Sequence, residues 1–245
     1  MPKSGSVSRR SIVQKAMMGP AVLATAALGG EARADGAVDL QLVLAVDASG
    51  SVNQVRFELQ KHGYVAAFRN ERVVKAIQSS AAGAIAVTMV QWTGPSLQAL
   101  AVPWTLVKDR ASADAFAASV EAAPRRLFGG GTSISGAIDH GVTLFQSCPF
   151  SGGRKVIDVS GDGANNRGRP SSDARDQAVA GGITINGLPI LEIEPKLDEH
   201  YRSEVIGGVN AFLVVAATFA EFADAILKKL ITEIAGGPPG SGRQG

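Results

Sequence analysis

Cysteine is almost missing from this chain: Cys148 is the one thiol among 245 residues. That excludes an internal disulfide, and it excludes zinc sites of the Cys₂His₂ or Cys₄ kind, which need several thiolates. Aromatic residues are scarce at 5% and charged ones modest at 19%, yet 45% of the chain is hydrophobic, so it carries a core and is not a disordered polyelectrolyte. No G-x-x-x-x-G-K-[ST] loop occurs to cradle a phosphate, and no G-x-S-x-G elbow to present a nucleophilic serine. A strong charge imbalance is also lacking, with 24 Lys+Arg against 22 Asp+Glu. The basic residues are dispersed, with nothing denser than a pair such as Arg125-Arg126 beyond the N-terminal segment, which leaves no footprint for nucleic acid.

What is present begins with an address. Lys3, Arg9, Arg10 and Lys15 precede an apolar stretch at 16–30, and Ala32-Arg33-Ala34 follows. Charged, apolar, then small-x-small is the order of a cleavable signal peptide, and Ser8-Arg9-Arg10-Ser11-Ile12-Val13 resembles the twin-arginine form. We expect residues 1–34 to be an export signal cut after Ala34, with a periplasmic or secreted product. The stretch contains Gly19, Pro20 and Gly29 and is too short to span a bilayer, so no membrane span is expected once it is removed. Removal takes five basic residues and one acid, leaving 19 basic against 21 acidic residues and a net charge of −2. The apparent basicity, a pI of about 8.8, therefore belongs to the precursor.

The remainder alternates strand and helix signals. The run at 40–46 is nearly all apolar, as in a strand buried on both faces. A helix is expected over 52–70, with Ser51-x-x-Gln54 as its capping box. Strands at 84–92 and 97–104 are joined by Gly94-Pro95-Ser96, a hairpin turn. Helices follow at 112–122 and after Gly129-Gly130-Gly131, the latter with Ile134, Ile138, Val142 and Phe145 on one face. Then come a strand at 155–160, a helix at 172–180, a strand at 182–191, a helix at 198–206 and a strand at 211–216. The last helix is expected to open with a Thr218-x-x-Glu221 box and to bury Phe219, Phe222, Ile226, Leu230 and Ile234, with Lys228 and Lys229 favouring its carboxyl end. Residues 236–245 read as a flexible tail. This order predicts one α/β domain over 38–235: a doubly wound, mostly parallel sheet with one antiparallel edge strand and helices on both faces.

Ligand sites in such sheets lie beyond the carboxyl ends of the strands. Three segments place oxygen donors there: Asp47-x-Ser49-x-Ser51, Thr132 after the triple glycine, and Asp162 in Ser160-Gly161-Asp162-Gly163. Two carboxylates and three hydroxyls without a soft ligand suit Mg²⁺, Ca²⁺ or Mn²⁺. Taken singly, each has a plainer reading, as a turn, a helix cap or an Asp-Gly turn. Their conjunction at one edge points to a cation site.

That conjunction resembles the von Willebrand factor A (VWA) domain and its metal-ion-dependent adhesion site, D-x-S-x-S followed by a threonine and an aspartate before glycine. The resemblance covers about 38–235. It implies that Asp47, Ser49, Ser51, Thr132 and Asp162 hold a divalent cation, and that a partner's carboxylate fills the open coordination position. The blocks Gly-Gly-Gly-Thr-Ser-Ile-Ser-Gly-Ala-Ile-Asp-His and Val-Ile-Asp-Val-Ser-Gly-Asp-Gly-Ala-Asn-Asn are similar to an exported bacterial VWA-like family of unknown function. The chain departs from the family's Thr/Ser-Asp-Gly pattern in one place, where Gly161 separates Ser160 from Asp162. Asp158 is the alternative carboxylate, although its place in a period-2 strand turns it away.

The expected function is a binding module for a protein partner that presents an acidic side chain. A metal-dependent hydrolase using the same ion and a structural domain with an empty site are the alternatives. His62 and His200 fall in expected helices away from the motif loops, and His140 lies two turns into the helix after Thr132. Asp47 lacks the second aspartate of D-x-D phosphatases, and Cys148 reads as a small buried hydrophobe. Asn165, Asn166 and Arg167 are expected as solvated loop residues that could rim the site.

Overall fold

The computed structural model describes residues 36–238. The expected export signal at 1–34 and the end of the tail lie outside the described residues. The apolar run forms β1 (Leu40–Asp47), buried along all its length. Leu40, Leu42, Leu44 and Val46 enter one core while Val43 and Ala45 enter the other, the period of a strand covered on both faces. β2 (Ile85–Trp92) and β4 (Arg154–Gly161) flank β1 in parallel, and β5 (Ile183–Pro189) extends the parallel sheet beyond β4. β3 (Gln98–Val107) closes the opposite edge antiparallel to β2, so the order is β3-β2-β1-β4-β5.

Helices cover both faces. On the first lie α1 (Gln54–Phe68), α2 (Glu71–Gln78), α3 (Arg110–Ala122) and α7 (Phe222–Ile234). On the second lie α4 (Ile134–Leu144), α5 (Ser171–Ala180) and α6 (Leu197–His200), the last continued by a π turn over Tyr201–Val205. The fold is the expected three-layer α/β arrangement. α1 and α7 approach closely at Gly63, where an added Cβ would stand 2.7 Å from the Phe222 ring.

Several local expectations need correction. The helix expected over 52–70 stops at Phe68, because the Asn70 side chain accepts the Arg72 N–H and starts α2 afresh. Its cap is Asn53, accepting from Arg56 N at 3.0 Å, which frees Ser51 for other work. The strand expected at 211–216 is reduced to single bridges at Leu213 and Ala216, since the Asn186 side chain takes the Phe212 N–H at 2.9 Å. Thr218 makes no capping bond; the Glu192 carboxylate from another loop accepts the Phe219 N–H instead, at 3.0 Å. Lys229 does not serve the helix end in solvent. It is fully buried, 2.7 Å from Asp158 Oδ1 and 2.6 Å from Glu233 Oε1.

No helix among the described residues is long and apolar enough to cross a membrane.

Candidate metal centre

β2 and β3 lie to one side of β1, β4 and β5 to the other, so the winding reverses between β1 and β4. Crevices at the carboxyl ends of such neighbours are where doubly wound sheets bind ligands. Asp47 ends β1, and Asp162 directly follows β4. Asp47 Oδ1 accepts the Ser49 N–H at 2.7 Å, which folds the D-x-S turn back on itself. Ser49 Oγ lies 3.2 Å from Ser51 Oγ, and Ser51 Oγ donates to Asp162 Oδ1 at 2.6 Å. The Asp162 N–H approaches Asp47 Oδ2 at 3.4 Å, a weak closing contact.

Thr132 joins from a third loop. It sits one residue ahead of the α4 cap, which is Ser133 accepting from Gly136 N at 3.1 Å. The Thr132 hydroxyl is thereby free of helix capping, and Thr132 shares the wall of one cleft with Ser51 and Asp162. Asp47 and Ser49 lie beneath that wall, almost wholly buried. The side-chain oxygen of Asn166 accepts the Thr132 N–H at 3.0 Å, and that of Asn165 accepts the Ser135 N–H at 3.2 Å. These two asparagines tie the Thr132 loop to the Asp162 loop and are not merely solvated; Arg167 is exposed beside them.

The inserted Gly161 is the last residue of β4, and its lack of a side chain is what the site requires. A Cβ there would stand 3.0 Å from Asp47 Oδ2, 3.1 Å from the Tyr201 hydroxyl and 3.2 Å from the Trp92 ring. Asp162 still reaches Ser51. Asp158 points into the opposite core, against Lys229, and does not belong to this group.

The electrostatics are those of a site short of positive charge. Burial first, then the neighbouring Asp162 charge, pushes Asp47 from 3.8 up to about 7 against the pull of its Ser49 bonds. Burial also raises Asp162, opposed by the Ser51 hydrogen bond and by Arg56. Among the described residues neither carboxylate forms an ion pair, and Asp162 Oδ2 is buried without a hydrogen-bond partner. Arg56 is engaged elsewhere, with Ser51 O at 2.8 Å and Glu192 at 2.9 Å. No group of three or more His, Cys, Asp or Glu gathers among the described residues. A cation here would therefore need the hydroxyls as well as the carboxylates, a hard donor set that fits Mg²⁺, Ca²⁺ or Mn²⁺.

Other neighbours carry no motif. Tyr201 and Trp92 are fully buried beside Asp47, and neither the phenol nor the indole N–H has a partner among the described residues. His200 is not remote: its Nε2 accepts the Asn165 N–H at 3.3 Å, a bond suited to a neutral ring, and burial lowers its pKa. Glu194 accepts the Ala164 N–H at 2.7 Å on the cleft wall. Arg125 donates to Ala48 O and Ser49 O at 3.1 and 3.4 Å, holding the first loop from behind. Only the triple spacing was visible in sequence; these residues come from the end of β2 and from helices and loops that no pattern links to it. His62 is exposed, His140 half-buried, and burial holds Cys148 in its thiol form.

The fold has solved counterparts. Proximal thread matrix protein 1 from the mussel byssus superposes with a TM-score of 0.58 at 19% identity, over 82% of this chain and 49% of that one. A further structure of that protein, with a zinc occupied MIDAS motif, gives 0.58 at 16% identity over 82% and 48%. A von Willebrand factor type A protein from Catenulispora acidiphila gives 0.58 at 17% over 81% and 43%. The pilus adhesin SpaC from Lactobacillus rhamnosus GG gives 0.54 at 15% over 80% and 31%. The chain spans about half the length of the first of these, or less of the others. At such identities the likeness establishes the fold, which is that of VWA domains. No curated protein matches the sequence significantly. The model of the family described as "Protein of unknown function (DUF1194)" matches residues 37–238, and the chain belongs to that family.

Proposed function

We propose that the chain is an exported VWA-type binding module. Asp47, Ser49, Ser51, Thr132 and Asp162 hold a divalent cation, Mg²⁺ with Ca²⁺ or Mn²⁺ as alternatives, and an acidic side chain of a protein partner completes its coordination. The observation that carries this reading is the pair of buried carboxylates, Asp47 and Asp162, gathered with serine hydroxyls and given no basic partner among the described residues. Two like charges in one buried group are costly unless a cation or a proton joins them. A bound cation would supply the positive charge that a partner's carboxylate meets.

The zinc occupied motif in the mussel protein and the adhesin SpaC support the same reading by analogy of fold. Binding is favoured over hydrolysis because no histidine is free at the cleft, His200 Nε2 being engaged by Asn165. In this reading the mature protein begins after Ala34, the binding domain spans 38–235, and 236–245 is a tail. Calorimetric titration of Mg²⁺, Ca²⁺ and Mn²⁺ into the purified 35–245 chain, beside Asp47→Ala, tests it. Binding by the parent alone is expected. Equal binding by both, or by neither, refutes the cation site. N-terminal sequencing of the protein from the periplasmic fraction tests the cleavage.

A further inference from the structure

A buried charge is costly unless it is paired and hydrogen-bonded. On the face of the sheet away from α4, Lys229 of α7 meets Asp158 of β4 and Glu233 one helical turn on, and all three side chains are sealed from water. Lys229 Nζ stands 2.7 Å from Asp158 Oδ1 and 2.6 Å from Glu233 Oε1. Asp158 Oδ2 and Glu233 Oε2 are buried without a hydrogen-bond partner among the described residues. One ammonium between two acids, with both outer oxygens unsatisfied, is a poor salt bridge.

The same arrangement suits a covalent reaction. An amine is nucleophilic only when it has shed its extra proton, and a carboxyl yields to it only when neutral. Glu233 touches the nitrogen and can take that proton. Burial first, then Glu233, holds the Asp158 carboxyl up at about 7, so the neutral acid is populated in neutral solution. The Phe212 ring lies 5.2 Å from Nζ, and the fully buried Tyr64 reaches Ser160 Oγ, two residues along β4, at 3.3 Å. These aromatic walls keep bulk water off the group.

We propose that Lys229 and Asp158 condense into an isopeptide bond that staples α7 to β4, with Glu233 accepting the proton. The step starts from the Lys229 ammonium, the Asp158 carboxylic acid and the Glu233 carboxylate. Glu233 takes one ammonium proton, and the freed electron pair attacks Asp158 Cγ. The Nζ–Cγ bond forms, a Cγ–O bond breaks, and the hydroxyl leaves as water with a second proton from the nitrogen. The products are a neutral amide and a protonated Glu233, so no charge remains in this part of the core. Reactants held together reach effective concentrations of about 10⁵ M or more, which sets condensation against hydrolysis. Glu233 also borders a cleft of about 180 Å³, room for a released water of roughly 30 Å³. Asn186 is the competing acyl group, but both ends of its amide are engaged, by Glu233 Oε1 at 3.1 Å and the Phe212 N–H at 2.9 Å.

Mass spectrometry of the purified, acid-unfolded protein tests the bond. The chain is expected to be lighter than its sequence by one water molecule. Trypsin should yield a branched product joining 156–167 to 229–243 in place of two separate peptides. Lys229→Met, Asp158→Ala and Glu233→Gln should each keep the full mass, with circular dichroism reporting their folding. Parent chain held in denaturant since synthesis should keep it too, and lose water gradually once refolded; that comparison decides even where a variant does not fold. Full mass in the folded parent, with both peptides recovered unlinked, overturns the proposal. So does a lost water confined to Asp162-Gly163, where an Asp-Gly pair can close to a succinimide without any branch. A branch formed with loss of ammonia moves the acyl partner to Asn186 and overturns the role of Asp158. Linkage in Glu233→Gln to the parent's extent overturns the role of Glu233.

Discussion

Ser51 Oγ donates to Asp162 Oδ1 at 2.6 Å, a bond between residues 111 positions apart. It fastens the loop after β1 to the loop after β4, and it leaves a buried carboxylate short of a donor if it is lost. Ser51→Ala is expected to cost about 1–3 kcal/mol of stability, the range for stranding a buried acceptor. Cation affinity should fall with it. Urea denaturation and calorimetry on the same variant check the two effects separately.

Gly161→Ala and Gly163→Ala make a matched pair. At 161 a methyl meets Asp47 Oδ2 and the Tyr201 hydroxyl at 3.0 and 3.1 Å; at 163 its nearest neighbour is Thr132 Oγ1 at 3.7 Å. The first should destabilise by about 1–3 kcal/mol through overpacking and weaken cation binding. The second should bind like the parent. Reversal of that order would contradict the role given to Gly161.

At Gly63 two opposing effects can be ranked. Alanine gains about 1 kcal/mol of helix propensity over glycine. The added methyl, however, would stand 2.7 Å from the Phe222 ring and 3.2 Å from the backbone of Ala223. Overpacking against a neighbouring helix costs about 1–3 kcal/mol, so Gly63→Ala should be net destabilising. The midpoint of thermal unfolding reads the sign directly.

The buried Asp158–Lys229–Glu233 cluster predicts a pH dependence. In chain freshly refolded from denaturant and still unlinked, two carboxylates face one ammonium there, with Lys229 Nζ 2.7 Å from Asp158 Oδ1 and 2.6 Å from Glu233 Oε1. Burial first, then Glu233, lifts Asp158 from 3.8 to about 7, with Lys229 pulling the other way. The folded chain therefore holds a proton that the unfolded chain has released, and stability falls as pH rises from about 4 to about 7, by at most about 1.4 kcal/mol per pH unit. Asp47 tilts the profile in the same direction, so the informative quantity is the difference from Asp158→Asn. That variant should show a flatter profile across the window in denaturation series buffered at several pH values.

Reading the sequence worked best where one physical signal dominates. The run at 40–46 has no polar residue but Gln41, and a strand buried on both faces is its natural form. The D-x-S-x-S, threonine and aspartate segments were assigned to the strand-to-helix edge, and all three converge there. The first helix was misread at both ends through the local caps Asn53 and Asn70, but elsewhere a side chain from another element had decided the outcome. Phe212 lost its ladder to Asn186, 26 residues away, and Phe219 found its acceptor in Glu192 rather than Thr218. Lys229 looked like a surface cation because its acids, Asp158 and Glu233, are brought to it only by β4 and the helix repeat. Tyr201 and His200 had no local signature at all, since their relation to Asp47 and Asn165 exists only once α6 has packed.

The central position of β1 has a kinetic consequence. Its neighbour β2 follows soon in the chain, but its other neighbour brings contacts such as Ser160 to Ala45, 115 residues apart. Such long closures are late events in folding, because their loop entropy is lost before the contacts are gained. Until β4 docks, Asp47 lacks the neighbouring Asp162, which follows that strand. The proposed cation site would thus be assembled only when β4 arrives, and a fragment holding only β1, β2 and β3 should show no preference for Mg²⁺ over Na⁺.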